Sequence, residues 1–186
     1  MEYKINFEEL LKSIINNKEI KINDIPSIDL YMDQVTTFMD DGLNSFKRTN
    51  KDKILTKTMI NNYAKDKVLF SPNKKKYSKR HIIILILIYH LKSILSISDI
   101  GKLLHSLNFS MEDEDIFETY EHFLNIHNEE ISHFSEDMTK IMDKIKTDLK
   151  EDNSDIKLLL FVFVLITKAS LEKRLVEKVI DEYFTG

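Results

Sequence analysis

The sequence has no cysteine and no tryptophan, and its 186 residues include only three glycines and two prolines. Without cysteine, the chain can form no disulfide, no thiolate zinc site and no cysteine nucleophile. Tight turns in all-β folds and doubly wound sheets need glycine at positive φ angles, so the scarcity of glycine argues against those architectures. The composition therefore predicts an all-α protein with long helices, short connections and at most a minimal β wing.

Long apolar runs are also missing. The two most apolar runs, residues 82–89 and 158–166, are far shorter than the ~20 residues that a membrane-spanning helix needs. The amino-terminal sequence MEYKINFEELLKSIINN has no basic region followed by an apolar stretch, which is the pattern of a signal peptide. We therefore expect a cytoplasmic protein without a membrane partner.

Acidic residues are scarce in one block of the chain. Residues 47–92 hold 13 lysines and arginines but only two acids, which gives +11, whereas the rest of the chain has 14 basic and 29 acidic residues, which gives −15 and a total of −4. A general drift toward lysine would add lysines everywhere but would not remove acids from one block. A local field of this sign attracts polyanions, and it favours nucleic-acid binding over a merely solvated charged loop.

Apolar residues at helical spacing predict the order of the helices in and before this block. Ser27 is expected to cap a helix that buries Leu30 and Tyr31, and Thr56 is expected to cap a short helix. The short helix would bury Met59, Ile60 and Tyr63 and leave its polar residues outward. Ser78 then begins a central buried helix over residues 79–95, and a short turn leads into a helix from Asp99 to about Leu107.

The acidic carboxyl-terminal part also has helical stripes. Apolar residues between Ile131 and Leu149 recur at spacings of 3, 4, 3, 4 and 4, which is typical of a two-helix seam. This seam would either pack on the closing helices or form a homodimer interface. Two closing helices are predicted, over residues 156–168 and 171–184.

The segment from Leu55 to Leu104 resembles the MerR-like winged helix-turn-helix. In that family a short helix is followed by Tyr-Tyr or Trp-Tyr, a glycine-leucine turn, a proline, a basic wing that ends in tyrosine, a longer helix and one further helix. Here the matching positions are Asn62-Tyr63, Val68-Leu69, Pro72, Lys74 to Tyr77 and Ser98 to Leu104. The resemblance implies a winged-helix-like unit that binds duplex DNA.

A second, closer resemblance covers residues 24–107. The motifs IDLYMDQV, TKTMINNY, KKKYS and LSISDI are similar to those of a bacterial family numbered 1836 among the domains of unknown function. The set is specific, although each motif is weak alone. This resemblance implies a fold and a general class and no particular activity.

The chain departs from the MerR-like pattern at three points. Asn61 stands where many members have a backbone-gripping arginine, Lys67-Val68 replaces the turn glycine, and no cysteine is available for metal or redox sensing. These departures argue against effector-dependent activation but not against duplex binding.

Two kinds of contact are predicted for the basic block. Lysine and arginine contact phosphates, which give affinity without sequence information, and asparagine can pair with an adenine edge in the major groove. Tyr77 has two interpretations at equal weight, a phosphate contact and a core anchor. The predicted phosphate contacts are Lys57, Lys65, Lys74, Lys75, Lys76, Lys79 and Arg80, and the predicted base contacts are Thr58, Asn61 and Asn62.

Signals for a metal site or an enzyme are weak. Glu118 with His122 and Glu129 with His133 form i, i+4 pairs, but they lack the Glu-x-x-His spacing of helical-bundle metal sites. No glycine-rich phosphate loop and no Ser/His/Asp arrangement is recognisable. We expect no catalytic residue, no metal and no cofactor; the question of a small-molecule effector stays open.

Together these patterns predict two parts. Residues 1–108 would form the DNA-binding unit with its amino-terminal helices, and residues 109–186 an acidic helical hairpin or bundle. The predicted function is that of a transcriptional regulator that acts by occupying its site on double-stranded DNA as a homodimer, because two half-sites double the contacts. The alternative is a non-enzymatic interaction module whose basic face binds an acidic partner or the chain's own acidic tail.

Overall fold

The computed structural model describes residues 7–16, 18–149 and 154–184. Within these residues the chain forms seven α-helices and two strands of two residues each, so the predicted all-α class with a minimal β element is confirmed. The elements in chain order are α1 (Phe7–Ile15), β1 (Leu30–Tyr31), α2 (Met32–Gly42), a 3-10 turn (Asn44–Phe46), α3 (Lys57–Lys65), β2 (Lys76–Tyr77), α4 (Lys79–Leu91), α5 (Ile97–Phe109), α6 (Asp113–Asp148) and α7 (Ser154–Tyr183).

The chain divides into two compact units. The first unit comprises residues 1–16 and 125–178, and the second comprises residues 17–124 and 179–186. The predicted division into two domains at residues 108 and 109 stays a prediction.

Helix α4 is the centre of the second unit. Its residues from Ile82 to Ile86 are fully buried, and they belong to one core with residues of α2, α3, α5 and the amino-terminal part of α6. Tyr120 of α6 also donates its hydroxyl to the carbonyl of Ile20, at 2.7 Å. A helix that is apolar all round is expected to be buried on every side, and α4 is so from His81 to Ile86.

The only strand pair in the described residues joins two distant parts of the second unit. β1 and β2 run antiparallel, with Leu30 opposite Tyr77 and Tyr31 opposite Lys76. The prediction that Ser27 caps the following helix is therefore wrong. Leu30 and Tyr31 are extended, and α2 begins at Met32, where the Gln34 side chain accepts a hydrogen bond from the Tyr31 N–H at 2.8 Å.

The first unit is built around the predicted seam on α6. Met138 and Met142 are buried against Phe161 of α7 and Leu11 of α1. The part of the seam from Met138 to Ile145 thus packs on a closing helix, as in the first of its two predicted alternatives, whereas Phe134 is 40% exposed. The break predicted before Leu171 is absent. Helix α7 continues without interruption through Ala169 and Ser170.

Among the residues that the structure describes, no helix combines the length and the apolar character needed to cross a membrane.

Candidate nucleic-acid interface

Helix α3 presents a polar face outward. The Thr56 hydroxyl accepts a hydrogen bond from the Met59 N–H at 3.2 Å, as the sequence predicted. Ile60 and Tyr63 are buried and Met59 is partly buried, so the inward side is also confirmed. The predicted contact residues on this helix are all exposed: Lys57, Thr58, Asn61, Asn62 and Lys65.

The carboxyl end of α3 explains the missing turn glycine. Lys67 adopts φ 58°, in the left-handed region that normally favours glycine. The N–H groups of Val68 and Leu69 both donate to the carbonyl of Tyr63, at 2.9 and 3.1 Å. The exposed Lys67 therefore takes the place of the glycine, and it is a further candidate for the interface that sequence analysis missed. The sequence signal that could have identified Lys67 is a helix end followed by a buried Val-Leu pair.

The basic loop is a tight turn rather than an open wing. The Lys76 N–H donates to the Asn73 carbonyl at 2.9 Å, and Lys74 and Lys75 between them have φ values of 48° and 65°. Two consecutive positive φ angles are the geometry of a type I′ turn. The turn exposes both lysines, so their ammonium groups point away from the core.

A short chain of contacts brings the basic turn and α3 to the same end of α2. Lys57, the first residue of α3, forms an ion pair with Asp33, the second residue of α2. Two residues earlier, Tyr31 pairs with Lys76, whose Nζ lies 5.2 Å from the centroid of the Tyr31 ring. The structure thus places one predicted contact residue of α3, Lys57, and one of the turn, Lys76, near the same helix end.

Tyr77 belongs to the core. Its exposed fraction is 3%, and its ring lies edge-on to that of His81, with the centroids 5.4 Å apart. Burial also raises the pKa of its hydroxyl. Of the two interpretations of Tyr77, this placement favours the core anchor.

Arg80 is held inside the second unit. Its guanidinium donates to the Leu107 carbonyl at 2.8 Å and forms an ion pair with Asp113 at 3.1 Å. It also lies 5.1 Å from the centroid of the Phe70 ring, and only 16% of the side chain is exposed. The arginine therefore joins the carboxyl end of α5 to the amino end of α6, and a phosphate contact would require these bonds to break.

Two more cations of the basic block are used internally. Lys47 pairs with Asp40 at 2.8 Å, and Lys92 donates to the Ile54 carbonyl at 2.8 Å. Burial lowers the pKa of the Lys92 ammonium. Lys79 differs, because it is half-exposed with its Nζ 5.3 Å from the centroid of the Phe117 ring. Part of the positive charge of residues 47–92 is thus used in contacts within the protein. The exposed part is concentrated on α3, the turn and the loop that precedes α3.

His81 secures the junction between the turn and α4. Its Nδ1 accepts a hydrogen bond from the Ser78 N–H at 3.0 Å, which ties it to the first residue before the helix. Its ring packs on Phe70 with the centroids 3.7 Å apart. Burial lowers the pKa of His81 to about 4, so the ring is neutral at pH 7. A neutral Nδ1 acceptor is what this bond requires.

The weak metal hypothesis gains no support from geometry. His122 and Glu118 form an exposed pair with 3.5 Å between Nε2 and Oε1. Across the described part of the chain, no three side chains of histidine, cysteine, aspartate or glutamate lie together in a way that would hold a metal ion.

Comparison with known proteins identifies one family. No curated protein and no solved structure matches the chain significantly, so the MerR-like resemblance gains no support and stays a prediction. The model of the domain of unknown function DUF1836 matches residues 20–125, which is more than half of the chain. The match covers α2 to α5, the basic turn and the start of α6. The chain therefore belongs to the DUF1836 family.

Proposed function

We propose that this protein binds double-stranded DNA and regulates transcription by occupying its site. One observation carries the proposal: Lys57, at the start of α3, and Lys76, in the basic turn, both lie at the amino end of α2, and both belong to the block of +11 charge. A helix with polar side chains next to a basic turn suits a duplex, because the helix enters the major groove while the lysines contact the backbone.

Seven exposed or half-exposed lysines are assigned to phosphates. The set follows the prediction, except that Arg80 is removed and Lys67 is added on structural grounds. Neutralising each phosphate releases condensed counterions, and this release supplies most of the affinity. The assigned residues are Lys57, Lys65, Lys67, Lys74, Lys75, Lys76 and Lys79.

Backbone strain supports this assignment. Among the described residues, Lys67, Lys74 and Lys75 are the non-glycine residues with positive φ. A left-handed conformation costs a lysine about 1 kcal/mol relative to glycine. Asparagine tolerates this conformation better and occurs 13 times in the chain, so a residue with less strain is within the protein's usual composition. We interpret lysine at all three positions as support for phosphate contacts there.

Base contacts are assigned to the middle of α3. Thr58, Asn61 and Asn62 are exposed between the flanking lysines. An α-helix with its side chains is about 10–12 Å across, which suits a major groove about 12 Å wide. Asn61 and Asn62 would each pair with an adenine edge through the two groups of the side-chain amide.

The test is a fluorescence anisotropy titration of a mixed-sequence duplex at several salt concentrations. Wild-type protein should bind with a log–log salt slope of roughly −4 to −6, about 0.9 per neutralised phosphate. Reversing two charges in the turn, by Lys74→Glu with Lys75→Glu, should weaken binding at least tenfold. The matched control is Lys144→Glu with Lys178→Glu, which makes the same charge change at exposed positions of the first unit.

Each outcome has a defined meaning. A strong loss of duplex affinity in the turn variant, with little change in the control, supports the proposed interface. An equal loss of affinity in both variants would mean that net charge alone causes the effect. If the wild-type protein does not bind the duplex even at ~50 mM salt, DNA binding is refuted.

A second candidate is the interaction module. The ion pair between Lys57 and Asp33 favours it, because one lysine of this face already binds a carboxylate. If this function is the right one, an acidic peptide should bind in the same assay while duplex affinity stays negligible both before and after charge reversal.

A further inference from the structure

Helix α7 has two apolar seams within the first unit. The first seam consists of Leu158, Phe161 and Leu165, at spacings of 3 and 4, and it packs on Met138 and Met142 of α6. It accounts for one side of the helix only. Residues 158–166 are apolar without interruption, so apolar side chains also lie on the other side.

The second seam is exposed. Ile156, Leu159, Phe163 and Ile166 follow at spacings of 3, 4 and 3, and their exposed fractions are 41, 51, 53 and 60%. At about 100° per residue, these four positions fall within one arc that lies roughly 150° from the first seam. Spacings of 3 and 4 are the pattern by which one helix packs along another.

We propose that the second seam is the interface of a homodimer in which α7 packs antiparallel on α7 of a second copy. The positions are self-complementary about a two-fold axis near residue 161. Ile156 of one chain then meets Ile166 of the other, and Leu159 meets Phe163, so every seam residue finds an apolar partner. A two-fold axis requires this reciprocity.

The helix dipole selects the antiparallel direction. Residues 158–167 carry no charge, so no ionic group in this stretch opposes the close approach of a second helix. The helix macrodipoles attract each other in antiparallel packing, whereas they repel each other in parallel packing.

The exposed area is close to that of such an interface. The four seam residues and the two that flank them, Leu160 and Val162, have 37 to 60% of their surface exposed, which amounts to roughly 490 Å² at ~170 Å² per fully exposed residue. The largest apolar patch on a typical monomer is about 300–600 Å². A stable dimer buries about 800 Å² per subunit, some 65% of it apolar, so this patch fills the apolar share.

The first experiment is gel filtration with light scattering over a range of concentrations. Wild-type protein should be a dimer at about 50 µM, and Leu159→Glu with Phe163→Glu should raise the dissociation constant at least 100-fold. The control, Leu175→Glu with Val176→Glu, places the same charges on exposed apolar residues of α7 outside the seam and should leave the dimer intact. Circular dichroism should give equal helicity for all three proteins, because the substituted residues are exposed.

Crosslinking tests the direction of packing, and the absence of cysteine makes single-cysteine variants clean. In the antiparallel dimer, Ile156→Cys should couple to Ile166→Cys through a short bismaleimide when the two variants are mixed. Each variant alone should couple poorly, because like positions lie roughly 15 Å apart along the axis.

Four results would overturn the proposal. They are a monomer at about 100 µM, a dimer that survives the seam substitutions, efficient coupling of each cysteine variant with itself, and partition of a monomer onto lipid vesicles. None of these results depends on DNA, so the interface and the proposed function succeed or fail separately.

Discussion

Asp33 forms an ion pair with Lys57 at the point where the amino ends of α2 and α3 meet. Both side chains are more than half exposed, so the pair contributes little to stability. The carboxylate nevertheless lies beside Lys57, which is assigned to a phosphate, so it would oppose the proposed DNA binding. Asp33→Asn should therefore raise duplex affinity about threefold at low salt, and it should make the salt slope more negative by up to about one, since Lys57 is released.

The control for this prediction is Asp41→Asn, which removes the same charge from an exposed position at the other end of α2. Anisotropy titrations of both variants against the same duplex provide the comparison. An equal gain in both variants would show that overall charge, and not this location, limits binding.

The sequence predicted α3 well because its signals are local. A cap at Thr56 and a 3.6-residue stripe through Ile60 and Tyr63 fix both the start of the helix and its buried side. The outward position of the asparagines follows directly. The exposed face of the candidate interface can therefore be deduced from the amino-acid sequence alone.

Features that depend on distant partners were not predictable in this way. Arg80 has the composition of a phosphate contact, but its role is set by Leu107 and Asp113, about 30 residues away in the chain. Likewise, Leu30 and Tyr31 fit a helical stripe, and only the pairing with Lys76 and Tyr77 makes them extended. Local periodicity contains no information about either partner.

The basic turn offers a test that separates backbone strain from charge. Lys74→Asn with Lys75→Gly supplies the residues that a type I′ turn prefers, so the free energy of unfolding should rise by about 1 kcal/mol. The same change removes two phosphate contacts, and the salt slope should become less negative by about 1.8. Urea denaturation and anisotropy measure the two effects.

Lys74→Gln with Lys75→Gln is the matched control for the turn. It removes the same charges but keeps side chains at the two left-handed positions. Binding should fall as much as in the Asn-Gly variant, without the gain in stability. A stability gain in the glutamine variant would mean that charge repulsion, and not backbone conformation, destabilises the turn.

Arg80 should affect stability more than DNA binding. Arg80→Ala leaves the Leu107 carbonyl near the end of α5 without this donor and Asp113 without its cation, at a cost of about 2 kcal/mol. Lys79→Ala, its neighbour, should cost well under 1 kcal/mol and make the salt slope less negative by about 0.9. Urea melts combined with a double-mutant cycle on Asp113→Ala isolate the ion pair. If Arg80→Ala shifted the salt slope as much as Lys79→Ala does, Arg80 would be assigned to a phosphate again.

His81 should make the second unit sensitive to acid. Its pKa is about 4 in the folded protein, against about 6.5 in the unfolded chain. The unfolded state therefore binds the proton more readily, and the contribution to stability is complete above pH 6.5 and lost as the pH falls toward 4. The loss for this one group is about 3 kcal/mol, measurable by urea denaturation at a series of pH values.

The matched variant for the acid effect is His81→Gln, because glutamine at this position can still accept from the Ser78 N–H but does not titrate. Carboxylates titrate in the same pH range, so the informative quantity is the difference in slope between wild type and variant. If His81→Gln retained the full pH dependence, the ring would not be a buried neutral acceptor, and another group would link this junction to pH.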